Sequence, residues 1–137
     1  GSRYSYDLYT PDASLKLPGC INHGPVDYYD MAPYVFKQAK INLNITLRSI
    51  KSGIPLRAFD ILGAGGFLLT NYQSDFSDCY VADQDYVCFG SKEDLLQKLS
   101  YYLTHEEGRK AIAQNGLHTT ATQHTYEHRI QEILSYF

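Results

Sequence analysis

An α/β fold built on a parallel sheet is predicted by three observations. Short β-rich runs alternate with helical patterns through the first two-thirds of the chain. The C-terminal third carries helical periodicity alone. The 137 residues are 44% hydrophobic and 20% charged, which suits one domain, since a chain of this size removes roughly two-thirds of its surface from water. No internal repeat or low-complexity stretch divides residues 1–137.

The elements follow in order. Strands are expected over residues 6–10, 20–22, 40–46, 66–70 and 86–90. Asp30 is placed to cap a helix with Pro33 in its first turn, where a missing N–H costs little, ending near Lys40. Ser91 followed by Asp94 resembles a capping box, and Leu95, Leu96, Leu99, Tyr102 and Leu103 then repeat on one helical face. Thr104 with Glu107 repeats the start signal. Asn115-Gly116 is expected to interrupt the following helix, and Ile130, Ile133, Leu134 and Phe137 to line a last one.

Composition narrows the function. Twelve Lys and Arg against fifteen Asp and Glu leave a net charge of −3, which gives no broad footprint for nucleic acid or anionic lipid. Cys20, Cys79 and Cys88 cannot pair off completely and show no CxxC spacing, so a reducing, cytoplasmic setting is expected. The longest apolar run, around Phe67 to Leu69, is far too short to span a bilayer, and no signal peptide is expected. Gly1-Ser2 reads as a cloning remnant, and the chain as a piece of something longer. Asn44-Ile45-Thr46 fits a glycosylation sequon but lies in an expected strand, where a glycan does not fit.

The most informative stretch is KINLNITLRSIKSGIPLRAFDILGAGGFLLT, residues 40–70, which reads as strand, loop, helix, strand. The alternating Ile41, Leu43 and Ile45 end at Thr46, and Ser52-Gly53-Ile54-Pro55 supplies a turn with Pro55 near a helix start. In open α/β sheets ligands bind at the carboxyl edge of the strands, and the next helix offers free N–H groups to an anion such as diphosphate. Arg57 and Asp60 stand three apart, so both can share one face near that mouth. A guanidinium suits diphosphate oxygens, and a carboxylate accepts the paired hydroxyls of a ribose. The same spacing, taken alone, is explained at least as well by a local ion pair. Gly63, Gly65 and Gly66 follow the helix instead of opening one, so a C-cap and close helix-to-strand packing explain them better than a phosphate loop. With no GxGxxG after a strand and no Walker sequence, nicotinamide binding and ATP hydrolysis lose support.

The run SGIPLRAFDILGAGGFLLTN resembles the donor-binding segment of group-1 glycosyltransferases of the GT-B fold, with Asp60-Ile61-Leu62-Gly63-Ala64-Gly65 matching the carboxylate-to-glycine spacing. With Asp7-Leu8-Tyr9, Ile41-Asn42-Leu43-Asn44 and His124-Thr125-Tyr126-Glu127-His128-Arg129, the likeness covers nearly the whole chain and is similar to the subgroup related to spore-maturation glycosyltransferases. The resemblance implies a Rossmann-like C-terminal half of a GT-B enzyme, with helices flanking a parallel sheet. It also implies a nucleotide-sugar donor, a ribose contacted by Asp60, a diphosphate near residues 52–55 and transfer without a metal or other cofactor. Many relatives place a glutamate eight positions before the second carboxylate, where this sequence has Ser52, and Asp60 stands in place of Glu. A further strand and helix upstream of Tyr6 and a separate N-terminal acceptor-binding domain are also implied, so the isolated domain is expected to be inactive.

His23, before Gly24-Pro25, follows a short strand at the same edge, where it contacts a base or phosphate or is simply a turn histidine. Asn44 and Arg48 bracket the end of the strand before the key loop, so Arg48 is either a diphosphate donor or a surface arginine. His124 and His128 are four apart, yet no third ligand stands at a familiar spacing, so packing and capping are expected of them. Paired tyrosines at 28–29 and 101–102 are expected to divide between core and rim. The leading expectation is a donor-binding domain of a hexosyltransferase-like enzyme with Asn44, Arg48, Ser52, Gly53, Ile54, Arg57, Asp60 and His23 around the donor. The alternative is a catalytically silent nucleotide- or protein-binding module. A receiver-like domain is disfavoured because the strand ends carry Thr10, Asn22, Thr46 and Thr70 in place of an acidic cluster.

Overall fold

A computed structural model describes residues 6–9, 12, 14–16, 18–25, 30–46 and 53–137. The chain divides into two compact units, residues 1–33 and 34–137. In the first, β1 (Tyr6–Leu8) and β2 (Cys20–Asn22) pair in parallel, Asp7 opposite Ile21. Asn22 fixes the local chain with its whole amide. Its Nδ2 donates to the carbonyls of Asp12 and Leu15, both at 2.9 Å, and its Oδ1 accepts the Gly24 N–H at 2.8 Å.

The larger unit holds α1 (Ala32–Gln38, which begins at the boundary), β3 (Asn42–Asn44), α2 (Leu56–Gly63), β4 (Leu68–Asn71), a 3-10 turn (Ser74–Asp78) and β5 (Val87–Phe89). Then come α3 (Lys92–Thr104), α4 (Glu106–Gln123) and α5 (Tyr126–Leu134). The three strands form a parallel sheet in the order β3-β4-β5, with Asn44 opposite Thr70 and Thr70 opposite Cys88. The alternation of β-runs and helices is therefore observed as a parallel sheet flanked by helices, with strands one to four residues shorter than expected wherever they differ in length. Ala58, Ile61 and Leu62 of α2 pack with Leu68, Phe76, Tyr80 and Tyr86 in the core.

The alternation in β3 has an unexpected sense. Asn42, Asn44 and Thr46 are buried, whereas Leu43 is 41% and Ile45 65% exposed. Hydrogen bonds explain why polar residues take the covered face. Asn42 Nδ2 donates to the carbonyls of Phe36 (2.7 Å) and Phe67 (3.2 Å), and Asn44 Nδ2 donates to Thr70 Oγ1 at 3.1 Å. Each buried amide is thereby matched with an acceptor, without which burial would be costly. Asn71 clamps the end of the strand, its Oδ1 accepting the Thr46 N–H at 2.8 Å and its Nδ2 donating to the Thr46 carbonyl at 2.9 Å.

The glycines after α2 act as its stop. The Gly65 N–H reaches the Leu62 carbonyl (3.0 Å) and the Gly66 N–H the Ile61 carbonyl (2.9 Å), with Gly65 at φ +83°, a Schellman closure. A Cβ on Gly66 would lie 2.7 Å from the Phe36 carbonyl oxygen, so the close packing expected there is present as well.

Two helix expectations are corrected. Asn115-Gly116 does not interrupt α4, which runs unbroken from Glu106 to Gln123. Gly116 is buried instead, and a Cβ there would sit 2.6 Å from the Asp85 carbonyl oxygen and 2.8 Å from a Leu62 methyl, so this glycine permits close docking. Thr104 does not start a helix. It ends α3, its hydroxyl bonding back to the Tyr101 carbonyl at 2.9 Å, and α4 begins after His105. Buried Arg109 joins the two helices by donating to the Tyr102 carbonyl in the last turns of α3. Ser91 does cap α3, accepting the Asp94 N–H at 3.1 Å. The last helix is present, but Ile130, Ile133, Leu134 and Phe137 are 56 to 99% exposed.

Gly116→Ala is expected to cost roughly 1–3 kcal/mol, because the backbone carbonyl of Asp85 cannot yield without moving the helix. Denaturant unfolding with an unchanged midpoint would contradict the close docking. Burial also pushes the Tyr80 and Tyr86 phenols up to about 12, against a smaller opposing effect of the Thr120 hydrogen bond at Tyr80. Both folded values lie above the ordinary value of 10.0, so their contribution is present below that pH and is lost as pH rises toward about 12. Melting temperature should fall through this window, less steeply in Tyr80→Phe; a flat profile would contradict it.

Candidate functional site

The walls of the site follow from which face α2 buries. Ala58, Ile61 and Leu62 turn to the core, so Leu56, Phe59, Asp60 and Gly63 are left on the side that meets α4 and α5. Along that side Leu117 lies against Gly65, Thr120 against Gly63 and His124 against Phe59, at 6.0 Å between ring centroids. α4 therefore runs antiparallel to α2 and delivers its C-terminal end to the N-terminal end of α2. The space between α2 and the α4–α5 joint is a groove of about 470 Å³, within the range typical of small-ligand sites. Its walls are chiefly apolar, with Asp60 and Arg129 as charged members.

The α4–α5 joint is fixed by hydrogen bonds with defined directions. His124 Nε2 lies 3.0 Å from the Cys79 carbonyl, which only accepts, so that nitrogen carries the proton. His124 Nδ1 then accepts from Arg129 Nη2 at 2.8 Å. The His124 ring also packs against Tyr80 at 4.9 Å, and the Arg129 guanidinium lies 6.0 Å from the Phe59 ring centre. Thr125 caps α5, accepting the His128 N–H at 3.3 Å, while His128 Nδ1 accepts the Thr125 N–H at 3.3 Å. Packing and capping are thus what the two histidines do. Tyr80 anchors the joint from below through a 2.8 Å bond with Thr120 Oγ1.

The residues singled out by sequence fall into separate places. Asp60 is half-buried in the groove wall, whereas Arg57 is exposed and outside it, so the arginine that shares this groove with Asp60 is Arg129. Arg129 was visible in the sequence only as part of the His124-to-Arg129 run. Gly53 has φ +88°, and its N–H, just ahead of α2, is taken by the Asp75 carboxylate of the 3-10 turn. Ile54 packs against the core cluster. Asn44 is buried with its amide on Thr70, which also removes the sequon's nitrogen from solvent. Arg48 and Ser52 lie outside the described residues. His23, in the smaller unit, is held at the end of β2, its Nε2 2.7 Å from Asp7 Oδ1 and its ring stacked on Tyr9 at 4.7 Å.

Cys20, Cys79 and Cys88 are free thiols, and burial raises Cys79 and Cys88 above the usual thiol value. Among the described residues no cluster of three or more His, Cys, Asp or Glu is placed to hold a metal, and no helix is long and apolar enough to cross a membrane.

Comparison with solved structures finds the same fold in glycosyltransferases. Sucrose-phosphate synthase from Thermosynechococcus elongatus superposes with a TM-score of 0.70 at 13% identity, over 86% of this chain and 29% of that one. The C-terminal domain of a glycosyl transferase group 1 family protein, LpcC, from Francisella tularensis gives 0.63 at 19% identity, over 79% of this chain and 55% of that one. The chain therefore spans well under two-thirds of either. Comparison with curated proteins finds no match. The family model described as glycosyl transferase-like matches residues 1–135. With almost its whole length so matched and with parallel strands and flanking helices arranged as in the C-terminal domain of GT-B glycosyltransferases, the chain belongs to the glycosyl transferase-like family.

Proposed function

We propose that this chain is the nucleotide-sugar-binding domain of a two-domain, hexosyltransferase-like enzyme, with the acceptor held by a separate N-terminal domain. The observation that carries this reading is the position of Asp60 in the wall of a groove that begins at the first residue of α2. A carboxylate there accepts the two hydroxyls of a ribose. The donor's diphosphate then lies toward the helix N-terminus, where N–H groups and the helix dipole favour an anion, beside Gly53 and Ile54, and exposed Arg57 of α2, Ser52 and Arg48 are its further proposed contacts. The domain works without a metal, and the isolated chain is inactive because transfer needs the acceptor side. Family membership supports transfer, the free thiols suit a cytoplasmic enzyme, and the run from His124 to Arg129 suits the spore-maturation-type subgroup.

One observation favours a second reading, a module that no longer turns over donor. The Gly53 N–H at the expected diphosphate turn is already engaged by Asp75. Turnover by the full-length protein separates the two.

Titration of the chain with UDP, GDP and ADP is expected to show saturable binding with a preference for one base. Asp60→Ala should weaken that binding about tenfold, the scale of a lost hydrogen bond to a charged group. Absence of saturable binding by the folded chain, or an Asp60→Ala variant that binds as tightly as the parent, contradicts the reading.

A further inference from the structure

We infer that Arg129, aimed by His124, is an anion contact of the groove and meets the diphosphate of a bound nucleotide at the N-terminal end of α2. The inference rests on the donor-binding reading and adds to it a residue contributed by α5, sixty-nine positions after Asp60.

α4 runs antiparallel to α2, so the α4–α5 joint arrives at the N-terminal turns of α2, and Arg129 lies over Phe59 in that region. Arg129 and Asp60 are both wall residues, and the ion pair that Arg129 makes is with Glu132, at 3.7 Å, not with Asp60. A guanidinium beside apolar walls suits a ligand that carries an anionic group and a flat ring. A nucleotide has that chemistry.

Arg129 is also held in place before any ligand arrives. An exposed arginine ordinarily loses rotamer freedom when it grips a ligand, which offsets part of the gain. Here the cost is met in the fold. Cys79 fixes the His124 tautomer, His124 takes one N–H of the guanidinium, and the Phe59 face supports the cation. A guanidinium has five N–H donors; His124 takes one and the Cys79 side chain a further hydrogen bond, which leaves donors for phosphate oxygens. Glu132, at 3.7 Å and largely exposed, is a loose partner that a phosphate displaces at little cost.

His124 is by this account a positioning residue. Its loss leaves the charge of Arg129 in place but releases its direction. The consequence is specific: the diphosphate part of the ligand should feel changes at positions 124 and 129, and the nucleoside part should not.

The test compares UDP, GDP and ADP with uridine, guanosine and adenosine, followed by NMR on the 137-residue chain. Arg129→Ala and Arg129→Gln should lose roughly tenfold in affinity for the preferred diphosphate, with nucleoside affinity unchanged. Arg129→Lys should recover part of the loss, and His124→Ala should show a smaller loss confined to the diphosphate. Lys110→Ala on the exposed side of α4 serves as the charge control. If Arg129→Ala fails to fold, the Gln and Lys variants decide the question. Equal losses for diphosphate and nucleoside, or no loss at all while Asp60→Ala still weakens binding, overturn the role of Arg129 and leave the donor-binding reading standing. If no nucleotide binds the parent chain, both fall together.

Discussion

The approach of α4 to the rest of its unit at Gly116 is the constraint on which the site depends. Without a side chain there, the helix comes within contact distance of the Asp85 carbonyl and of Leu62. That proximity lets Thr119 donate to the buried Asp85 carboxylate at 2.9 Å and Thr120 bond to Tyr80 one residue later. Asp85 in turn accepts the Val81 N–H at 2.8 Å, so the segment ahead of β5 and the middle of α4 are held by one carboxylate. These contacts fix the rotation of α4, and its rotation decides where His124 emerges. A helix held farther away would deliver the α4–α5 joint off α2 and leave no groove. The last helix adds little burial of its own, since its apolar residues are mostly exposed. Its place in the fold rests on the Thr125 cap, the His124–Arg129 bond and the packing of Arg129 over Phe59.

The charged groups of the groove are arranged by different means. Asp60 is set by α2, whose opposite face is anchored in the core, and its position is therefore as rigid as the helix. Arg129 is set by a short relay from the Cys79 carbonyl through one imidazole. A relay of this kind keeps a long cation oriented while leaving most of its donors to the solvent side. The turn ahead of α2 is built differently again. Asn71, the last residue of β4, clamps the chain at Thr46, and Asp75 of the 3-10 turn that follows takes the Gly53 N–H.

Much of the fold was legible because its signals are local. The β-rich rhythm located the five strands seen among the described residues, Ser91 marked a helix start by its own hydrogen bond, and Gly65 and Gly66 closed α2 as their position after it indicated. What misled was composition without context. Asn115-Gly116 has the character of a break, but a glycine at a helix crossing looks the same in sequence as a glycine at a stop. Leu43 and Ile45 have the pattern of a covered face, yet the buried face of β3 carries the amides of Asn42 and Asn44, whose acceptors come from Phe36, Phe67 and Thr70. Asp60 was singled out from a segment contiguous in sequence and lines the groove. Arg129 was not, because its partners Phe59, Cys79 and His124 are brought to it by the crossing of α4, which no spacing encodes.

The central claim is that a nucleoside diphosphate occupies the groove between α2 and the α4–α5 joint. Backbone amide mapping by NMR during titration with UDP, GDP and ADP tests it most directly. The account predicts saturable shifts concentrated at residues 53–60 and 124–129, with residues 92–110 of α3 and early α4 unmoved. Shifts confined to other elements, with both of those segments silent, would contradict it.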